Sequence, residues 1–483
     1  MPISDRKAII RTKIVATLGP ATADPKRLAA VLDAGVDVCR LNFSHGSYED
    51  HRASLENIRA WSEKYDRAIA VLGDLCGPKI RLNRVLGDAF ELKVGDPVRF
   101  VRGDGDCTPE NFTISYSKFV DEVQAGQRVF IDDGMVRLLV TVAESDEVIC
   151  TCTTGGVVSS RKGVNLPDTT LSAPALTDKD YRDLDWAIEN RLDYVALSFV
   201  RKPEDLRELR ARIDSRDARL GVIVKIEKPE ALEHLDALIE GADGVMVARG
   251  DLGVEMDVWR VPLIQKDIVT RCRAAGKPVI IATQMLQTMI VNPTPTRAEV
   301  SDIANAILDQ ADAIMLSGET AAGKYPDLAV AMMDSVARAT ESYQQESGVH
   351  QAAQAKGQSG NVASAIACAA VQAALNTNAR LVAVWSASGE TARLVAQQRL
   401  PVSVIGLTYD EQVYRSMNLF YGVTPLRVKP MSHPADMADV LDAKLVERNL
   451  ARYGDTIIVV TSTHPKTPGG TNTVLVHRVG EKL

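Results

Sequence analysis

Short β-branched runs alternate with helical stretches through the first 345 residues. The runs are TKIVATLG (12–19), VDVCRLNFSHG (36–46), AIAVLGDLCG (68–77), DYVALSFV (193–200), GVIVKIE (221–227), GVMVARGD (244–251), PVIIATQM (278–285) and AIMLSGE (313–319). Each is almost continuously apolar, as expected of strands buried on both faces. Each ends in a polar or glycine-rich corner, and stretches such as DLDWAIENRL and AEVSDIANAILDQ carry helical spacing between them. Eight strand–helix units in series predict a closed (β/α)8 barrel. An open doubly wound sheet is the alternative, and the number of units favours closure.

The rhythm breaks once, after the third run. Residues 80–165 carry strand signals instead, in FELKVGDPVRFV, NFTISY, QRVFIDDGMVRLLVTVA and EVICTCTT, separated by turn chemistry at Asp132-Asp133-Gly134 and Gly155-Gly156. This predicts a small β domain inserted at the end of the barrel where active sites form, placed to act as a lid. A polar stretch at 344–361 reads as a linker. Beyond it LVAVWSA, PVSVIGLT, DTIIVVTST and VLVHRV alternate with helical segments, one of them near 436–453. The division is therefore 1–79 plus 166–345 for the barrel, 80–165 for the β lid and 346–483 for a C-terminal α/β open-sheet domain.

Composition narrows the class of partner. Apolar residues make up 46% and charged residues 25% of 483, an ordinary globular balance. A net charge of -7 argues against nucleic acid or an anionic membrane as the main partner. The seven cysteines are odd in number and show no CxxC spacing, which suits reduced thiols in a cytoplasmic protein. The opening MPISDRKAIIRTKIV places charges inside its apolar stretch and reads as neither signal peptide nor membrane span.

The chemistry gathers at the strand ends. The second run ends in Arg40, Asn42, Ser44 and His45, and the third in Asp74 and Leu75 with Lys79 and Arg81 beyond. The fifth ends Lys225-Ile226-Glu227, the sixth Arg249-Gly250-Asp251, the seventh at Thr283 and the eighth at Ser317. A closed barrel turns all of these toward one mouth. Cations (Arg40, Lys225, Arg81) and carboxylates (Asp74, Glu227, Asp251) together suit a phosphorylated substrate clamped by a divalent cation. Taken singly, most have plainer readings. Glu227 and Asp251 read as strand-end partners of Lys225 and Arg249, His45 as a solvated loop histidine and Thr283 as a cap. Arg40 on an apolar strand demands an anion.

Seven segments then resemble, in order, the signatures of the pyruvate kinase family: RLNFSHG, GPKIR, KGVNLP, KIEKPEAL, MVARGDLGVE, ATQML and MLSGETAAGKYP. The resemblance spans essentially the whole chain. It implies transfer of the phosphoryl group of phosphoenolpyruvate to ADP, giving pyruvate and ATP, in a homotetramer. By position, Glu227 and Asp251 correspond to ligands of Mg²⁺ (or Mn²⁺), and Lys225 to the lysine that stabilises the phosphoryl group in flight. Arg40, Gly250, Asp251 and Thr283 correspond to phosphoenolpyruvate contacts. His45, Arg81 and Lys162 correspond to nucleotide contacts, and Asn42, Ser44, Asp74 and the Leu75 carbonyl to the monovalent-cation site. The proton for enolpyruvate would arrive through water near Thr283 and Ser317. A barrel lyase or mutase acting on phosphoenolpyruvate would need neither lid nor nucleotide contacts, and an inactive regulatory homologue would not keep every metal and phosphate position.

Two departures refine the expectation. Family members that need K⁺ carry glutamate where this chain has Lys79, whereas the potassium-independent group carries lysine. Leu75 and Cys76 likewise stand in place of threonine and lysine. A tethered ammonium about 4 Å from a carboxylate, at an effective dielectric near 20, interacts by about 4 kcal/mol, enough to replace a bound monovalent ion. The reading is therefore that K⁺ is not required. In the C-terminal domain, Ser386, Ser388, Gly389 and Thr391 sit at a strand-to-helix corner that resembles the family's effector loop. Ala387 replaces an expected lysine there and Glu390 adds negative charge. This favours AMP or a sugar monophosphate over fructose bisphosphate as the phosphorylated effector, with a second loop at 463–470 able to close over it.

Overall fold

The computed structural model describes residues 10–347, 361–429, 436–463 and 470–482. The eight apolar runs form β1 (Lys13–Thr17), β2 (Val38–Asn42), β3 (Ala70–Asp74), β4 (Tyr194–Leu197), β5 (Gly221–Ile226), β6 (Gly244–Ala248), β7 (Val279–Ala282) and β8 (Ala313–Leu316). Each pairs in parallel with the next, and β8 closes on β1, which excludes the open sheet. Alternate residues part to the two faces. Val15, Val38, Leu72, Ile223, Met246 and Ile280 form one cluster inside the barrel. Ile14, Cys39, Val71, Val222, Val245 and Ile281 belong to a second, packed under the surrounding helices. Both faces are dry, so the runs carry no polar alternation. Helices start where side chains accept their first amides: Ser47 from Asp50, Thr177 from Asp180 and Thr296 from Glu299.

Residues 80–165 build a curled β structure with its own core around Phe100, Phe112 and Phe119. Its main sheet has six strands, in the order 164–165, 128–131, 136–143, 147–154, 97–101, 111–112. The turn between the second and third strands in that order takes Asp132, Asp133 and Gly134 at φ of 55°, 52° and 84°, which explains the Asp-Asp-Gly composition.

The C-terminal sheet runs Val423–Arg427 (β11), Ser403–Thr408 (β10), Leu381–Trp385 (β9), Thr456–Thr461 (β12) and Thr473–Arg478 (β13), with only β13 antiparallel to its neighbour. The sequence reading missed β11, because Pro425 interrupts it; an edge strand tolerates that proline. The helix expected near 436–453 is shorter, Asp436–Glu447, and is followed by Asn449 at φ 54°. The linker expected from 344 begins later, since the helix Pro326–Glu346 continues through those residues; residues 348–360 lie outside the described ones. All seven cysteines are free. No described helix is long and apolar enough to cross a membrane.

The C-terminal domain seals the barrel end opposite the mouth. Its contacts fall on residues that begin or precede the strands. Lys13 Nζ donates to the Val423 carbonyl (2.7 Å), Asn418 Nδ2 to the carbonyls of Asp37 and Ala68 (both 2.8 Å), and Arg415 Nε to Asp193 Oδ1 (2.8 Å). Leu419, 1% exposed, enters the cluster inside the barrel. Truncating a buried leucine leaves a cavity that costs about 2–5 kcal/mol. Leu419→Ala should therefore lower the midpoint of urea unfolding by the equivalent of about 2–5 kcal/mol. A midpoint unchanged from wild type would mean that Leu419 does not plug the barrel.

Candidate active site

The mouth is organised around two buried carboxylates and two buried cations. Arg40 projects from β2 and grips Asp74 at the end of β3, with Nε 2.7 Å and Nη2 2.5 Å from Oδ2; its Nη1 donates to Thr17 Oγ1 at 2.9 Å. Lys225, on β5, places Nζ 3.3 Å from Asp74 Oδ1, 2.8 Å from Glu227 Oε1 and 2.8 Å from Ser198 Oγ. Ser198 passes the link on, donating to the Leu75 carbonyl at 2.7 Å. Asp74, Glu227 and Lys225 are 1%, 1% and 9% exposed, so the charges neutralise each other in a medium of low polarity.

That environment sets the ionisation states. Burial alone would pull the Lys225 ammonium down, but Asp74 and Glu227 beside it raise its pKa above the ordinary lysine value. Burial pushes Asp74 up, yet Arg40 and Lys225 bring it below the usual carboxylate range. Glu227 stays raised, because burial and the nearby Asp251 outweigh the pull of Lys225. His45 is lowered by desolvation and by the positive charges of Arg81, Lys79 and Arg40, which places each of these cations in electrostatic reach of His45.

The loops around this cluster hold strained backbone. Phe199, Thr283 and Gln284 have φ of 53°, 72° and 55°, costly for side chains of this size. Each is tied down. The Phe199 amide donates to Glu227 Oε2 at 2.8 Å. Arg249 Nη2 donates to the Thr283 carbonyl at 2.7 Å, and Thr283 Oγ1 receives the Gly250 amide at 2.7 Å. Glu319, fully buried, accepts from the amides of Leu286 (2.9 Å) and Ser317 (2.8 Å), locking the loops after β7 and β8 together. Ser198, Thr17, Arg249 and Glu319 were not among the sequence candidates for the site. Their signal was present as polar residues at the ends of apolar runs, but position alone did not distinguish support from chemistry.

Other candidates lie at greater distance from the cluster. Asn42 Oδ1 receives the Ser44 amide at 3.1 Å, a local turn. Arg81 bonds the Arg161 carbonyl at 2.9 Å, and Lys162 pairs with Asp132 at 2.8 Å, so both are held within the lid. Lys79 is exposed beside Gly163 and makes no hydrogen bond or ion pair through its ammonium among the described residues. Asp251 likewise has no bonded partner among the described residues; it lines a cleft together with Lys79, Asp133 and Lys228. Two carboxylates from adjacent strands, one of them free, form an oxygen donor set that fits a hard divalent cation completed by substrate oxygens. Among the described residues, no group of three or more His, Cys, Asp or Glu offers a fuller protein cage.

The effector candidates lie at the other end of the molecule. Ser386 Oγ receives the Gly389 amide at 2.9 Å, Ser388 Oγ the Glu390 amide at 3.4 Å, and Thr391 Oγ1 meets Thr471 Oγ1 at 2.6 Å. The corner joins β9 to the helix Glu390–Ala396, as its sequence implied. Most of the second loop, 464–469, lies outside the described residues.

Comparison with known proteins gives the same answer across the chain. The model of the pyruvate kinase barrel domain matches residues 9–330, and that of the pyruvate kinase alpha/beta domain matches 364–477. The pyruvate kinase of Mycobacterium tuberculosis is 42% identical over 475 residues, covering 98% of this chain and 99% of its own. That of Mycobacterium intracellulare is 41% identical over 473 residues, with the same coverage. That of Geobacillus stearothermophilus is 38% identical over 476 residues, 98% of this chain and 81% of its own. The chain belongs to the pyruvate kinase family.

Proposed function

We propose that this enzyme transfers the phosphoryl group of phosphoenolpyruvate to ADP, giving pyruvate and ATP, with Glu227 and Asp251 holding Mg²⁺ or Mn²⁺ and with no need for K⁺. The observation that carries the reading is the Lys225 ammonium, fixed between Asp74 and Glu227 at a barrel mouth beneath a lid. With its pKa raised, it stays protonated through the working range, so it acts by charge and not as a base.

Phosphoenolpyruvate enters with its phosphate against Lys225 and Arg40, and with its remaining oxygens near Gly250, Asp251 and Thr283. A β-phosphate oxygen of ADP, on the side of His45, Arg81 and Lys162, forms the new P–O bond as the bond to the enol oxygen breaks. A bound divalent cation would neutralise charge on the transferring group. Lys225 follows that charge as it develops. The enolate left behind takes a proton at its methylene carbon, through water near Thr283 and Ser317. Lys79 supplies the positive charge that K⁺ would bring. Its exposed ammonium at the lid hinge, without a bonded partner among the described residues, supports this role, because it is free to turn toward Asn42, Ser44 and Asp74 when substrates draw the lid down. A phosphorylated effector, AMP or a sugar monophosphate in preference to fructose bisphosphate, would act at Ser386, Ser388, Gly389 and Thr391. The assembly is read as a homotetramer; Val258, Trp259 and Leu263, exposed by 67–72%, offer apolar surface for it.

Three measurements test this. Lys225→Met should lower turnover by at least ~10³-fold, roughly 4 kcal/mol of transition-state stabilisation. Retention of more than about a tenth of the activity would make Lys225 structural instead. Wild-type enzyme should reach full activity with Mg²⁺ in a tetramethylammonium buffer, and Lys79→Glu should create a K⁺ requirement. A several-fold rise in wild-type turnover on adding about 100 mM K⁺ at matched ionic strength would refute the role of Lys79. In titrations of activity against effectors, AMP or a sugar monophosphate should activate; activation by fructose bisphosphate alone would overturn that preference.

A further inference from the structure

The helix that carries Asp251, Arg249–Glu255, ends in a carboxylate with an unusual set of neighbours. Glu255 is 3% exposed. Its Oε1 receives Lys228 Nζ at 2.7 Å and Asn165 Nδ2 at 2.9 Å, while its buried Oε2 has no partner. Lys228, 7% exposed, directly follows Glu227 in the loop after β5. Asp251 lies four residues before Glu255, one helical turn away on the same face. Asn165 belongs to the lid: it ends the strand Val164–Asn165, paired to Phe130 and Ile131. One carboxylate oxygen thus joins the loop carrying Glu227, the helix carrying Asp251, and the edge of the lid sheet.

The lid's other side-chain ties are to the adjoining return segment, through Arg128 to Asp168, Thr169 to Gln127 and Ser172 to Glu122. Beyond that segment, among the described residues, Asn165 to Glu255 is the only side-chain hydrogen bond from residues 80–165 to the barrel. On the outgoing side the hinge is Gly77, at φ 66°, whose amide donates to the buried Asp180 Oδ1 at 3.0 Å. A buried barrel carboxylate thus meets the chain near each of the two crossings between barrel and lid.

Stability alone does not account for the third partner. A buried Lys–Glu pair already balances its charge, and such pairs add little to folding compared with apolar packing. The Asn165 bond adds sensitivity to position: a displacement of the lid strand by about 1 Å breaks a hydrogen bond of ordinary length. We infer that Glu255 is a positioning residue, linking the return strand of the lid to the two loops that present Glu227 and Asp251, so that lid position and metal-site geometry change together. This rests on the function proposed above. The effect falls mainly on nucleotide and metal, because Arg81 and Lys162 are lid residues, whereas Arg40, Lys225 and Thr283 lie on or directly after β2, β5 and β7, apart from the helix that ends in Glu255.

The test begins with wild-type enzyme assayed for ATP formation from phosphoenolpyruvate and ADP, where absence of activity would sink the parent reading itself. In an active enzyme, Asn165→Ala should raise the KM for ADP and the half-activating Mg²⁺ concentration by about fivefold or more, with the KM for phosphoenolpyruvate within about twofold and the melting temperature within about 2 °C of wild type. Glu255→Gln should move the same two constants, and adding Asn165→Ala to it should cost nothing further, because both substitutions break one link. The inference is overturned if Asn165→Ala leaves the ADP and Mg²⁺ constants within about twofold of wild type, if the phosphoenolpyruvate constant rises in step with them, or if the two substitutions are additive. Should Glu255→Gln fail to fold, the pattern of the Asn165→Ala constants alone decides.

Discussion

Four charges buried in the barrel mouth determine what the rest of this structure has to provide. Arg40, Asp74, Lys225 and Glu227 form a chain of contacts from β2 across β3 to β5. Taking each ion out of water costs several kcal/mol, and only close pairing returns it. The chain sums to zero charge, so it can be buried. On the function proposed above, a phosphate at Lys225 would compete with the two carboxylates that share it, and a divalent cation at Glu227 would release part of the hold on Lys225.

Such a cluster works only if its members are presented without slack, and this explains the strained backbone nearby. Phe199, Thr283 and Gln284 occupy left-handed conformations that cost of order 1–2 kcal/mol each. Glu227 fixes the first through the Phe199 amide, Arg249 the second through the Thr283 carbonyl, and Glu319 spans the loops beyond β7 and β8. Glu227 thus has two tasks. One oxygen faces Lys225 and the other holds the backbone of the preceding loop, so the carboxylate cannot rotate freely. Preorganisation of this kind lowers the cost of aligning charge during phosphoryl transfer.

The barrel, its closure and the inserted β structure were legible because burial on both faces leaves a pattern that needs no tertiary information: eight apolar runs, then one stretch with turn-punctuated strands. The mouth residues were legible as a set because barrel topology brings every strand end to one rim. Pairing was not legible. Nothing in the sequence indicates that Lys225 joins Asp74 as well as Glu227, since residues 74 and 225 become neighbours only when β4 is laid between β3 and β5 and Ser198 bridges to Leu75. The edge strand β11 was hidden by Pro425, and the support roles of Thr17, Arg249 and Glu319 were hidden because a polar residue at a strand end reads the same whether it binds a ligand or a backbone amide.

The same accounting separates rigid from movable parts. At the barrel's closed end, buried carboxylates at the feet of the strands are shared with the C-terminal domain. Asp193 takes the Val71 amide at 2.8 Å and Arg415 at 2.8 Å, and Asp312 takes the Val279 amide at 2.9 Å and Arg399 at 3.0 Å. Separating the two domains would cost Arg415 and Arg399 their buried carboxylate partners, which makes this boundary costly to open. The lid sheet, by contrast, has its own core, and apart from its bonds to the adjoining segment 168–172 its side chains meet the barrel, among the described residues, through the Asn165–Glu255 hydrogen bond. The lid boundary therefore has fewer buried ion pairs to break than the closed end of the barrel. Within one chain, these contacts of the C-terminal domain fall at the feet of the same β-strands whose other ends carry the charges of the mouth.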